Sequence, residues 1–185
     1  MRRYIYMICV MLIAMACAQK PLVIGQIADV QLGFDAAVKG SVPGAEYVND
    51  LTFEIECLKA TVAKVNELKP DMVVFTGDQV HLPYDKDQWD AFVQGIADID
   101  PSIEQYHLPG NHDHILKDGT ADPQDFISRF GSDRFAVSKR NVNVVGINTS
   151  LIYFNSALEQ DQMVWLEETL EATEASDVTL IFGHH

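Results

Sequence analysis

Short apolar runs alternate along this chain with segments whose apolar residues recur at helical spacing, and this alternation limits the fold more than any other feature. Strand-length apolar runs occupy residues 22–28, 72–75 and 178–182. Between the first two, apolar residues recur three or four positions apart from Leu51 to Leu68, which predicts an amphipathic helix that Pro70 ends. Strands that alternate with helices predict an α/β layered fold with a largely parallel sheet.

The remaining predicted elements follow from the same patterns of apolar spacing and turn residues. They are helices over residues 88–99, 123–130 (capped by Asp122) and 160–172, a strand over residues 103–108, two strands over residues 135–137 and 141–147 paired through the turn 138–140, and a loop over residues 33–44.

Polar side chains follow four of the predicted strands at the point where each strand ends. Because the carboxyl ends of parallel strands meet at one edge of a sheet, we expect these side chains to converge. Taken singly, Asp29 and Asp78 could equally cap helices or turns, and residues 109–113 could be an ordinary polar loop. The converging residues are Asp29 and Gln31, Asp78, Asn111 and His112, and His184.

Two carboxylates, two amides and an imidazole form a mixed oxygen and nitrogen ligand set, which suits Mn, Fe or Zn. A carboxylate such as Asp78 can bridge two ions, and two ions together can clamp the attacking and leaving oxygens of a phosphoryl transfer. His112 lies beside the ligands, where it could protonate the leaving alkoxide. The residues are therefore suited to a metal site that acts in phosphoryl transfer.

The order of these motifs resembles the calcineurin-like metallophosphoesterase superfamily, whose pattern is D-x-H/Q, G-D, G-N-H-D/E, a lone H and G-H-x-H. The first four parts read here as Asp29-Val30-Gln31, Gly77-Asp78, Gly110-Asn111-His112-Asp113 and His184. The resemblance spans residues 21–185. It implies a four-layer α-β-β-α sandwich, two divalent metal ions, a phosphorylated substrate, and attack by a metal-bound hydroxide.

The resemblance also implies a role for each matching residue. Asp29 and Gln31 correspond to ligands of the first metal, Asp78 to the bridging ligand, Asn111 and His184 to ligands of the second metal, and His112 to the general acid.

Three departures from the family pattern matter. Gln31 stands where many members have His, which resembles the D-x-Q branch typified by calcineurin-like phosphoesterase domain-containing protein 1; a neutral amide is a weaker ligand. His81 occupies the place of an Asp in classical Ser/Thr phosphatases, and it is either near the substrate or plainly exposed. No G-H-x-H segment is present, although Gly183-His184-His185 could be the start of one.

The missing segment leaves two function classes open. Without it we expect residues 19–185 to be the N-terminal part of a metallophosphoesterase domain, truncated at the C-terminus. The first class is a metal-dependent phosphoesterase, either a phosphomonoesterase or a phosphodiesterase or nucleotide pyrophosphatase. The second is a non-catalytic fragment with an incomplete metal site.

Residues 1–18 predict export. Arg2 and Arg3 precede an apolar run, and residues 16–18 fit a cleavage site for a signal peptide. In a second interpretation Cys17 carries a lipid, as in bacterial lipoproteins, which would be the one contact with a membrane. We therefore expect a periplasmic, secreted or lipid-anchored protein.

Charge and the other reactive side chains add little to this interpretation. The formal net charge of −14 argues against a sequence-independent nucleic-acid binder, which needs a basic surface. Cys57 follows a helical pattern and is expected to be a small buried hydrophobe. His107 and His114 are expected to be structural or exposed, and His185 to neighbour the ligand His184.

Overall fold

The structure is a computed structural model that describes residues 20–154, 157–173 and 178–185. The predicted export segment, residues 1–18 with Cys17, lies outside these residues. The strands are β1 (Ile24–Ile27), β2 (Met72–Thr76), β3 (Glu104–Leu108), β4 (Phe135–Lys139), β5 (Val142–Gly146) and β6 (Val178–Phe182). The helices are α1 (Phe34–Gly40), α2 (Thr52–Leu68), α3 (Lys86–Ile96), α4 (Asn111–His114), α5 (Gln124–Phe130), α6 (Thr149–Tyr153) and α7 (Glu159–Glu171).

The strands form two sheets of three. In the first sheet β2 lies between β1 and β3, and all three strands are parallel. In the second sheet β5 lies between β4 and β6, antiparallel to β4 and parallel to β6. The α/β fold is therefore confirmed, and the expected largely parallel sheet is divided between two sheets.

Strand β2 is at the centre of the molecule. Its five residues are all buried, and since neighbouring side chains on a strand point to opposite faces, both faces of the first sheet are covered here. Val73 and Phe75 belong to the core formed with helices α2, α3 and α5. The second sheet reaches the other side of the first, where the rings of Tyr106 and Phe135 lie 4.7 Å apart.

The paired strands and the main helices form close to the predicted positions. Helix α3 begins two residues earlier than expected because the Asp85 side chain accepts hydrogen bonds from the backbone N–H groups of Asp87 and Gln88. Helix α5 begins at Gln124, one residue later than expected, and Asp122 still accepts the N–H of Gln124.

Two expectations about local structure are wrong. Residues 34–40, expected to be loop, form helix α1, whose first turn is held by a hydrogen bond from the Asp35 N–H to the buried Glu54 carboxylate at 2.8 Å. Cys57, expected to be buried, is exposed. The buried face of α2 includes Leu58, and adjacent residues of a helix lie about 100° apart around its axis, so Cys57 points away from the core.

Among the described residues, none of the helices is both long enough and apolar enough to cross a membrane.

Candidate metal centre

Three of the predicted polar clusters follow the strands of the first sheet. Asp29 comes two residues after β1, Asp78 two residues after β2, and Asn111 three residues after β3. Since the three strands are parallel, their carboxyl ends bring these residues to one edge of the sheet.

The fourth cluster reaches this edge from the second sheet. His184 follows β6, and its ring Nδ1 donates a hydrogen bond to the carbonyl oxygen of Thr76, at the end of β2, at 2.9 Å. Its backbone N–H donates to the Thr149 hydroxyl at 2.9 Å. The four clusters therefore converge, as expected, and the site lies where the two sheets meet, in agreement with the α-β-β-α sandwich that the family resemblance implies.

The backbone around the site is unusual at three of the predicted ligands. Asp29, Gln31 and Asp78 have φ angles of 54°, 45° and 54°, in the left-handed region that side chains other than glycine rarely adopt. The chain between β1 and α1 is held there by the loop after β2: the Asp29 N–H donates to the Gly77 carbonyl at 3.1 Å, and the Gln31 N–H to the Asp78 carbonyl at 2.8 Å. Strained backbone of this kind is concentrated at functional sites.

Two glycines allow the chain to approach Asp78 closely. A Cβ atom at Gly110 would collide with the Asp78 carboxylate, and one at Gly77, where φ is 101°, would collide with the His184 ring. Neither position can carry a side chain without moving the site.

Asp78 and His184 form an ion pair whose side chains are both largely buried. His184 Nε2 lies 3.4 Å from Asp78 Oδ2, and the His112 N–H donates to Asp78 Oδ1 at 2.9 Å. Burial acts to raise the pKa of Asp78, but the hydrogen bonds from His184 and His112 outweigh it and lower that pKa. The hydrogen bond to Asp78, opposed by burial, raises the pKa of His184 to about 9.

The structure brings three of the predicted ligands together. One ligand atom each from Asp29, Asp78 and His184 lies within 4.8 Å of the others. The two predicted amide ligands flank this group: Gln31 lines a groove with Asp29, and Asn111 lines a cleft with His112. Among the described residues neither amide side chain makes a hydrogen bond, so both oxygens are available to a ligand.

This donor set fits divalent metal ions. Two carboxylates and an imidazole within a few ångströms of one another form a mixed oxygen and nitrogen donor set of the kind that Mn, Fe and Zn accept. The hydrogen bond from Nδ1 of His184 to Thr76 directs Nε2 toward the carboxylates, as a backbone carbonyl commonly does for a metal-binding histidine. Asp29, Asp78 and His184 therefore fit a divalent metal ion.

The ring of His112 is held in place through its Nδ1 atom. Its Nδ1 donates to the His81 carbonyl at 2.8 Å, and Nε2 has no partner among the described residues. The ring of His81 stacks on that of His112 at 4.8 Å. Burial and the neighbouring His112 lower the pKa of His81, which favours the neutral form of the ring that stacks on His112.

Asp113, for which the sequence predicted no role, joins the loops of the site by hydrogen bonds. It is 1% exposed, and its carboxylate accepts the backbone N–H groups of Gln79, Val80 and Gly110 at 2.8, 3.1 and 2.8 Å. Burial raises the pKa of Asp113 to about 8, against the effect of these donors. Its place at the end of the motif Gly110-Asn111-His112-Asp113 was the sequence signal for it.

Gln88 is a second residue that supports the site and that the sequence did not predict. Its side-chain oxygen accepts the N–H groups of His81 and Leu82 at 3.1 and 2.8 Å, and the residue is fully buried. It therefore holds the loop whose carbonyl anchors His112. A buried glutamine in a helix leaves no recognisable pattern in a single sequence.

The other histidines differ in their surroundings. His107 lies between Phe75 and Phe130, with ring centroids 4.6 and 4.2 Å away. His114 is fully buried and bonded to the Asn148 side chain at 3.2 Å. His185 is exposed and stacks on Tyr153 at 4.5 Å.

Comparison with known proteins agrees with the geometry. Residues 22–185 match the family model described as calcineurin-like phosphoesterase. A relative in Bacillus subtilis (strain 168), the uncharacterised metallophosphoesterase YkuE, is 34% identical over 62 residues, which are 34% of this chain and 22% of YkuE.

Two solved structures share the fold. A purple acid phosphatase from yellow lupin (Lupinus luteus) seeds aligns with a TM-score of 0.57 and 16% identity, over 83% of this chain and 28% of its own. A dimetal phosphatase from Danio rerio aligns with a TM-score of 0.55 and 18% identity, over 88% of this chain and 69% of its own. With the family model matched along nearly all of the described chain, the protein belongs to the calcineurin-like phosphoesterase family.

Proposed function

We propose that this protein hydrolyses phosphate esters with the help of two divalent metal ions, Mn, Fe or Zn. The observation that carries the proposal is the convergence of Asp29, Asp78 and His184, whose ligand atoms lie within 4.8 Å of one another although they come from two sheets. Membership of the phosphoesterase family supports the reaction class. Of the two structural neighbours, one is described as a purple acid phosphatase and the other as a dimetal phosphatase.

In this proposal Asp29 and Gln31 would hold the first ion, Asn111 and His184 would hold the second, and Asp78 would serve both. Ions bound at such a site activate water and neutralise charge on the phosphoryl oxygens. The chain's own contribution is to fix these donors before the substrate arrives: Asp78 through the His112 N–H, and His184 through Thr76.

His112 is the proposed general acid. The bond between phosphorus and the ester oxygen breaks, and water supplies the oxygen that replaces it. His112 acts in its doubly protonated form: the leaving oxygen takes the proton on Nε2, while the proton on Nδ1 stays on the ring. The proton released by the attacking water balances the one that Nε2 gives up. The hydrogen bond from Nδ1 to the His81 carbonyl keeps the ring oriented during this transfer. The products are inorganic phosphate and the free alcohol.

The narrower expectations remain part of the proposal. We place the chain in the D-x-Q branch on the strength of Asp29-Val30-Gln31. The basic, apolar and small-residue pattern of residues 1–18 supports export, with Cys17 as an optional lipid attachment site.

The proposal is tested by hydrolysis of aryl phosphates after reconstitution with Mn, together with the metal content of the protein. His112→Ala is expected to keep its metal and to lose about 10²- to 10⁴-fold in kcat with phenyl phosphate, since protonation of a poor leaving group is removed. The loss should be much smaller with 2,4-dinitrophenyl phosphate, whose leaving group needs no proton.

The matched control is His185→Ala, which removes an exposed imidazole next in sequence to a proposed ligand and should stay within about two-fold of the parent. Unchanged turnover of phenyl phosphate in His112→Ala would remove His112 from the mechanism. A parent protein that binds no metal and hydrolyses neither ester would instead favour the non-catalytic class.

A further inference from the structure

A largely apolar cleft lies beside His112. Its volume is about 260 Å³, and Asn111 and His112 form the side next to the metal centre. The other walls are largely apolar: Leu82, Pro83, Tyr84, Ile115, Leu116 and Phe154.

The position of this cleft identifies the part of a substrate that would occupy it. If His112 protonates the leaving oxygen, as the proposed function requires, the group bonded to that oxygen must lie on the side to which Nε2 of His112 is directed. Because Nδ1 is bonded to the His81 carbonyl, Nε2 is at the opposite end of the ring, and His112 itself lines the cleft.

The walls favour a flat, apolar leaving group. Tyr84 and Phe154 line the cleft although their residues remain 54% and 40% exposed. Aromatic side chains that are left open to water on the wall of a cleft can be covered by a ring with favourable stacking and burial of apolar surface. The cleft is small enough to accept one substituted ring rather than an extended chain.

Lys117 adds a positive charge to this apolar wall. Its ammonium lies 5.0 Å from the centre of the Tyr84 ring. Seven of the Lys and Arg residues of the described chain form ion pairs with carboxylates. Four described lysines form none, and of these four Lys117 is the one that lines the cleft. In a chain of net charge −14, a cation beside the site without an acidic partner is available to an anion on the ligand.

We propose that this cleft binds the leaving group of an aryl phosphate that carries a second negative charge, with the ring against Tyr84 and Phe154 and the anion paired with Lys117. Lys117 and Tyr84 then determine substrate preference, while His112 and the metal ligands perform the reaction.

The first experiment compares two nearly isosteric substrates, 4-carboxyphenyl phosphate and 4-carbamoylphenyl phosphate, in the Mn-reconstituted protein. The ratio of their kcat/KM values measures preference for the anion, and differences in intrinsic reactivity cancel when that ratio is compared between variants. Lys117→Gln is expected to lower the ratio about three- to ten-fold, the size of effect expected for a partly screened charge pair. Lys59→Gln, an exposed lysine of α2, is the matched control and should leave the ratio unchanged.

The second experiment measures binding of the leaving groups themselves, without metal and without turnover. By saturation-transfer NMR, 4-hydroxybenzoate should bind more tightly than 4-hydroxybenzamide, and Lys117→Gln should equalise the two. 4-Hydroxybenzoate should also bind more tightly than 4-hydroxycyclohexanecarboxylate, which carries the same charge but no aromatic ring. Tyr84→Leu should reduce this difference in affinity about two- to five-fold.

The two experiments separate the cleft from the reaction. The assignment of the cleft would be overturned if Lys117→Gln changed neither the ratio of the two kcat/KM values nor the ratio of the affinities for 4-hydroxybenzoate and 4-hydroxybenzamide. This holds even if both esters are hydrolysed. If neither ester is hydrolysed, the proposed function fails, and the binding comparison alone then decides whether the cleft recognises aromatic anions.

Discussion

At the scale of single residues, the site depends on side chains whose backbone conformation or protonation would be unfavourable elsewhere. Asp29, Gln31 and Asp78 each occupy the left-handed region, at a cost of roughly 1–2 kcal/mol per residue. Hydrogen bonds between the loops after β1 and β2 offset this cost. The left-handed conformation of these residues lowers the stability of the fold but places their side chains at the site, as expected for residues retained for function.

His107 is a second kind of unfavourable residue, a titratable side chain packed among aromatic rings. It lies between two phenylalanine rings and its Nδ1 has no partner among the described residues. Burial lowers the pKa of His107 from 6.5 to about 3. The folded protein therefore holds this imidazole neutral at a pH where the unfolded chain takes up a proton.

The sign of the resulting pH dependence follows from the depressed pKa. The stabilisation is complete above pH 6.5 and is lost as the pH falls from about 6.5 toward about 3, by about 1.4 kcal/mol per pH unit, or roughly 2 kcal/mol at pH 5. His107→Phe should flatten this part of the profile of unfolding free energy against pH, measured by urea denaturation. A strained fit of the larger ring would shift the whole profile equally, so an unchanged slope between pH 6.5 and 4.5 would contradict the prediction.

At the scale of elements, helix α3 determines the shape of the site without supplying a ligand. Gln88, in its first turn, holds the backbone of His81 and Leu82, and through His81 the ring of His112. Trp89, next along the helix, is fully buried and donates its indole N–H to the Pro83 carbonyl at 2.9 Å. The start of this helix therefore sets the position of the proposed general acid.

The N-cap of α3 is open to a direct test. Asp85 accepts the N–H groups of Asp87 and Gln88 at 3.0 and 3.1 Å, and Asp85→Ala should cost about 1 kcal/mol of unfolding free energy because these donors lose their partner. Asp85→Ser, which retains a capping oxygen, should lose less. Thermal denaturation followed by circular dichroism measures both, and equal losses in the two variants would show that capping is not the cause.

At the scale of the whole molecule, the metal centre joins two sheets. His184 connects them without metal through its bond to Thr76, across 108 positions of the chain, and Arg140 makes a second connection through its paired hydrogen bonds to Asp71. Ions held by Asp29, Asp78 and His184 together would strengthen the first connection, because unfolding would separate their ligands.

Metal should therefore stabilise the entire described domain. Mn at about a hundred times its dissociation constant contributes roughly 2.7 kcal/mol for one site, which raises the Tm of a domain of this size by roughly 5–10 °C. EDTA should reverse the shift, and His184→Ala should show much less of it than His185→Ala. Differential scanning fluorimetry gives the comparison, and an equal shift in both variants would exclude His184 as a ligand.

Much of this molecule follows from local patterns in the sequence. The spacing of apolar residues predicted α2, α3, α7 and the main strands, since the side chains that must be buried recur at the period of each element. The turn after Pro109 and the acidic residues after β1 and β2 identified the edge where the site lies. What local patterns predicted poorly were positions decided by a distant partner: helix α1, bound to Glu54, and Cys57, turned outward on α2.

The sequence by itself thus determined the α/β class, the polar residues at the strand ends and the family to which they belong, because these depend on residue types at short, regular spacings. Only the tertiary structure decided that β6 delivers His184 from a separate sheet, that Asp113 and Gln88 hold the loops of the site, and that Lys117 lies over Tyr84 beside His112. Each of these features is a contact between two segments of the chain, and the local sequence of either segment does not specify which other segment it will contact.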